Sequence, residues 1–164
     1  MARSESLSQA VSLVRLPGAL LLLLLLGACS HPMPGVLTLA PAGMRTTGVC
    51  VPHPDGTLTM PSGSTADSPV YIDAGGVTIT ITAQASSATP PSRIEVWFAG
   101  TSIGSARLET TEVRPLAFHV HAGADGPTTL RIGYRTDADA EADAEASAEV
   151  PPTVHLEKVV ITEP

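Results

Sequence analysis

The sequence predicts an all-β fold, a sandwich or barrel, on three observations. Beyond residue 35 no stretch of 12 or more residues has apolar side chains at helical spacing. Short β-branched runs recur instead, separated by clusters of Gly, Pro, Ser and Asp. The clearest run alternates strictly: Val77, Ile79, Ile81 and Ala83 interleave with Thr78, Thr80 and Thr82. Period-2 patterning of this kind marks a strand with one face buried and one wet.

The elements follow in order. Val36-Leu37-Thr38-Leu39 and Gly48-Val49-Cys50-Val51 read as weak strands, and Thr57–Met60 as a weaker one. After the central strand, Ile94–Ala99 and Ile103–Leu108 form a hairpin about a turn at Gly100. Leu116–His121 and Leu130–Arg135 alternate equally well and are joined through Gly123-Ala124-Asp125-Gly126-Pro127. Val154–Thr162 is the last strand. Between the last two strands, acid and alanine alternate from Asp137 to Glu149, holding six of the 16 acidic residues and no base. Like charges repel and the alanines offer little to bury, so residues 137–149 read as an acidic loop insertion, with a short frayed helix as the alternative.

The N-terminus carries a different message. Arg3 and Arg15 precede seven leucines, Leu20–Leu26, and Gly27-Ala28-Cys29-Ser30 follow. The run is too short to span a bilayer, which takes roughly 20 apolar residues. A charged start, an apolar middle and a small-residue processing site make a secretory signal. The cysteine after the small pair resembles the lipobox of bacterial lipoproteins. That resemblance implies cleavage before Cys29, a diacylglycerol on its thiol, further acylation such as palmitate, and attachment to a lipid bilayer. The expected layout is a lipoprotein signal peptide at 1–28, a lipidated tether at 29–35 and one domain at 36–164. The expected place is the cell envelope, and the outer membrane for a Gram-negative source, because Ser30 rather than Asp follows the cysteine.

Charge and cysteine content narrow the function. The chain has 9 basic and 16 acidic residues, and the bases form no run that would neutralise phosphates, which argues against nucleic acid. Of the two cysteines only Cys50 remains once Cys29 is lipidated, so no internal disulfide is expected and stability must come from packing. Cys50 reads as a buried strand residue rather than a reactive thiol.

Three segments in this order resemble jelly-roll carbohydrate-binding modules of the calcium-containing, xylan-binding kind: Ala74–Ala83, Ile94–Gly104 and Val154–Ile161. The resemblance implies a jelly-roll β-sandwich, a bound polysaccharide and a structural calcium. It also implies a bulge near Glu157, because Leu156 cannot share a face with Val159 and Ile161 in a regular strand. Asp137 fills the family's acidic calcium slot, and Glu157 stands where the family usually has Asp. The acidic insert and the lack of an Arg-Asn pair before Val154 depart from the pattern.

Candidate site residues follow from strand parity. With Ile94, Val96 and Phe98 facing the core, Glu95 and Trp97 face outward. A ring beside a carboxylate suits a sugar: the ring stacks on pyranose C–H groups and the acid accepts hydroxyl hydrogen bonds. The alternative is a loop or N-terminal segment that covers Trp97. Phe118 and Tyr134 fall on the inward parity, and Tyr71 is undecided. His119 and His121 share a strand face, where a third ligand such as His53 or His155 would complete a metal site; two solvent-facing histidines are the expected outcome. Gly100-Thr101-Ser102-Ile103-Gly104 matches the nucleophile-elbow string, but a strand follows it and alternating βα units are absent, so it reads as a hairpin. The expected function is therefore a non-catalytic, membrane-anchored lipoprotein that binds a polysaccharide. A structural or protein-interaction lipoprotein that keeps the sandwich without sugar binding is the alternative.

Overall fold

The computed structural model describes residues 35–137 and 152–163. The signal segment 1–28, Cys29, the rest of the tether before Gly35 and the insert beyond Asp137 lie outside the described residues. Within them run β1 (Val36–Leu39), β2 (Arg45–Thr47), β3 (Val51–Pro52), β4 (Leu58–Pro61), β5 (Thr65–Ile72) and β6 (Gly75–Ala85). They continue with β7 (Ser92–Phe98), β8 (Thr101–Leu108), β9 (Arg114–Ala122), β10 (Gly126–Thr136) and β11 (Thr153–Thr162). A 3-10 turn lies at Pro41–Gly43.

The strands form two antiparallel sheets packed as a jelly-roll sandwich, as the sequence predicts. One sheet has the order β3-β4-β11-β6-β9, with β1 also on β11; the other has β2-β5-β10-β7-β8. Strand β11 is the hinge of the first sheet. Its first half, Thr153–Leu156, pairs with β4, its second half, Val159–Thr162, pairs with β1, and β6 lines its other side. The register shifts between Leu156 and Lys158, leaving Glu157 in the expected bulge. That extra residue flips the parity, so Leu156, Val159 and Ile161 all reach the core.

The core is the alternation made solid. Ile79, Ile81, Leu156 and Leu58 from one sheet and Ile94, Val96, Leu130 and Ile132 from the other are fully buried in one cluster. Tyr134 is buried too, with its hydroxyl 2.9 Å from Ser92 Oγ, so its polar end has a partner. Phe118 faces inward as parity requires.

The N-terminal half holds one strand the sequence does not announce and one reading that needs correction. Strand β5 is not visible in the sequence because Asp67-Ser68-Pro69 interrupt its apolar pattern. Pro69 is tolerated because β2 covers only Thr65–Asp67, so the strand is an edge where the missing N–H falls. Cys50 is not in a strand. Gly48 at φ +88° turns the chain outward, Val49 is exposed, and Cys50 is half-buried in the loop before β3, its Sγ 3.7 Å from the Thr47 carbonyl oxygen.

The β7–β8 hairpin turns on Ala99 (φ +52°) and Gly100 (φ +78°). Two positive φ angles give the primed turn whose twist suits a hairpin. Glycine adopts this freely; alanine does so against its Cβ. Ala99→Gly is therefore expected to raise stability by about 0.5–1 kcal/mol. A rightward shift of the urea midpoint with unchanged slope is the expected reading, and a leftward shift would show that the turn is unstrained.

Candidate ligand-binding face

Strand β7 buries Ile94, Val96 and Phe98 and turns Arg93, Glu95 and Trp97 to the outer face of the five-stranded sheet. Trp97 stands opposite Arg131 of β10 and Ser102 of β8. Its indole leans across β10 onto Gly133. A Cβ built at Gly133 would lie 2.8 Å from Trp97 Cζ3 and 3.1 Å from Cη2. Only glycine leaves room for the ring there, and the ring in turn buries Gly133 on what is otherwise a solvent face. Trp97 is thus half-buried: the sheet, rather than a covering loop, supports the ring. With Ala99, Gly100, Thr128, Thr129 and Arg131 it lines an open hollow of about 450 Å³. Gly133 was missed by the sequence reading, although a glycine inside a well-formed strand signals a close approach of this kind.

The polar groups around the ring are ordered by ion pairs. Arg131 donates to Asp67 through Nε (2.7 Å to Oδ1) and Nη2 (3.2 Å to Oδ2), a two-point pair that raises the guanidinium above its ordinary pKa. Glu95 lies 3.8 Å from Arg135 Nε and keeps 24% of its side chain exposed. Tyr71, left undecided by the sequence, is 66% exposed on the same outer face.

The register also assembles what composition hides. Arg135, Arg93 and Arg107 stand directly opposite one another across β10, β7 and β8. Asp137 closes the end of this row, 3.4 Å from Arg107 and 3.9 Å from Arg93. With Arg45 and Arg131, five of the nine basic residues stand on one face. The expectation that the bases form no patch is therefore corrected: they are dispersed in sequence but gathered by the sheet.

The two residues expected to hold calcium stand on different sheets. Asp137 follows β10 beside the arginines, and Glu157 sits in the bulge of β11 in the other sheet. Among the described residues no set of three or more His, Cys, Asp or Glu side chains is placed to hold a metal ion. The histidines divide as well. His119 and His121 are exposed on β9, opposite Thr78 and Gly76, with His119 Nδ1 3.0 Å from Thr78 Oγ1. His155 stands opposite Gln84, at the far end of β6, and meets His53 through Thr59 Oγ1 (3.2 and 2.9 Å). The string Gly100–Gly104 lies in the β7–β8 hairpin, without the strand-to-helix turn that a nucleophile elbow needs.

No protein-family model matches the sequence, and neither does any curated protein. Solved structures do match. The CBM36-1 domain of a multidomain xylanase from the hindgut metagenome of Trinervitermes trinervoides superposes with a TM-score of 0.58 at 12% identity, covering 77% of this chain and 96% of that one. A CBM36 carbohydrate-binding module in complex with calcium and xylotriose gives 0.51 at 12% identity, over 75% and 97% of the two chains. The mosquito-larvicidal Cry4Aa toxin from Bacillus thuringiensis gives 0.58 at 11% identity, over 79% of this chain and 23% of the toxin. At such identities the likeness is one of fold: this chain carries the jelly-roll sandwich found in carbohydrate-binding modules.

Proposed function

We propose that this protein is a non-catalytic lipoprotein, anchored in the cell envelope through acylated Cys29, whose jelly-roll domain binds a cell-surface or extracellular polysaccharide. The observation that carries the reading is Trp97. Its indole rests on Gly133, open to a hollow edged by Thr128, Thr129 and Arg131, on a fold shared with sugar-binding modules. A rigid aromatic ring with hydroxyl and guanidinium donors beside it is what a pyranose needs: apolar C–H contact on one side and hydrogen bonds at the rim. Glu95 supplies an acceptor one turn of the pleat away. The reading rests on Trp97 and not on Asp137 beside the arginines or Glu157 in the bulge of β11.

The test is retention on immobilised xylan, glucan and peptidoglycan. Trp97→Ala is expected to lose retention while costing only about 1–2 kcal/mol, less than the ~3–5 kcal/mol of a fully buried tryptophan. Gly133→Val is expected to lose retention with Trp97 still present, because the new side chain must push the indole off its seat. Failure of the wild type to be retained on any of the three would favour the structural or interaction lipoprotein instead, and unchanged retention in both variants would place the sugar away from Trp97.

A further inference from the structure

We propose that the outer face of the five-stranded sheet selects an acidic polysaccharide, with the Arg135-Arg93-Arg107 row taking the carboxylates of uronic acid units. This rests on the sugar-binding reading of Trp97 and adds the ligand's charge to it.

The first argument is the cost of the row. Like charges directly opposite on neighbouring strands destabilise a sheet. Here three guanidiniums share one cross-strand line, and two carboxylates attend them. Those contacts are long and single, 3.4 to 3.9 Å, unlike the two-point pair that Asp67 makes with Arg131. Each guanidinium carries five N–H donors. One loose carboxylate contact apiece leaves most of the row's donors facing water, on side chains 37%, 55% and 67% exposed for Arg93, Arg107 and Arg135.

The second argument is contrast. The chain as a whole is at −7, yet this face holds five arginines against Asp67, Glu95 and Asp137. An excess of positive charge on one face of an acidic protein attracts an anion locally.

The third argument is arrangement. Strands lie about 4.8 Å apart, so the row presents guanidinium forks at regular intervals along a line across the strands. Such forks match planar carboxylates in two-point contacts. Trp97 projects from the same strand and the same face as Arg93, four residues on. A chain of sugars bearing carboxylates thus meets a stacking ring and a line of cations on one surface. Neutral polysaccharide satisfies only the ring, and a phosphate polymer satisfies only the cations.

The probe is polygalacturonate, compared with its fully methyl-esterified form and with neutral xylan. The wild-type protein is expected to bind polygalacturonate at least tenfold more tightly than either neutral polymer, and to release it as salt rises. The variant Arg93→Gln/Arg107→Gln/Arg135→Gln should lose that preference yet keep the weak neutral binding; Arg135→Gln alone, at the most exposed position, guards against a folding defect in the triple variant. Equal binding of esterified and free polymer, or a preference untouched by the arginine substitutions, overturns the proposal and leaves sugar binding standing. Binding of neither overturns both. Equal or tighter binding of DNA or of vesicles rich in phosphatidylserine would also overturn it, because the face would then read charge without sugar.

Discussion

Ile81→Ala is expected to destabilise the domain by about 2–5 kcal/mol, and Ile81→Val by about 0.5–1.5 kcal/mol. Ile81 is fully buried in the middle of β6, opposite Val159 of β11 on one side and Leu116 of β9 on the other. Truncation there removes transfer energy and leaves a cavity that two flanking strands prevent from closing. No disulfide shares the burden, as Cys50 is a free thiol in a loop. Domains of this size hold on the order of 5–15 kcal/mol in total, so the alanine variant would spend a large part of its margin. Guanidinium unfolding should move the midpoint sharply for alanine and slightly for valine, with the slope unchanged. A loss below ~1 kcal/mol for alanine would mean that β6 is not the centre of its sheet.

The same strand shows why so much of the fold is legible in the sequence. Where one face of a strand is buried and the other wet, the period of two is written into the residues, as in Val77–Ala83, Ile94–Phe98 and Leu130–Arg135. The break in that period at Glu157 is just as readable, because three inward residues with the wrong spacing demand a bulge. Strand β5 escapes for the opposite reason. Its inward set, Ala66, Ser68, Val70 and Ile72, is small or polar at one end, and β10 supplies the pairing that holds it extended.

The candidate site divides along the same line. The outward face of Trp97 follows from its neighbours on β7, which are local. Its seat on Gly133 and the row Arg135-Arg93-Arg107 come from cross-strand register, which joins residues far apart in sequence and is set by topology. Asp137 illustrates the limit. Its place just after β10 suggested a calcium ligand by resemblance, but antiparallel pairing brings the end of β10 to the start of β7, where Arg93 stands.

Cys29→Ala is expected to abolish acylation and leave the uncleaved precursor. The argument is chemical. Seven leucines behind two arginines have the pattern of an export signal, and on the lipobox reading the small pair Gly27-Ala28 makes Cys29 the first residue after processing. In proteins with this signal the thiol is acylated before the leader is removed, so a chain without the thiol should neither gain lipid nor lose residues 1–28. Each buried acyl CH₂ contributes about 0.8 kcal/mol to membrane binding, and one chain gives only marginal attachment, so on this reading an anchor at Cys29 would need several chains. On the lipobox reading, palmitate labelling should tag the wild type and Cys50→Ala alike, since the half-buried Cys50 is the chain's second cysteine and lies outside the lipobox. The Cys29→Ala protein should remain unlabelled and migrate as the longer precursor. Label on that variant, or processing at its normal position, would sink the lipobox reading, and the domain would then reach its polysaccharide as a freely exported protein.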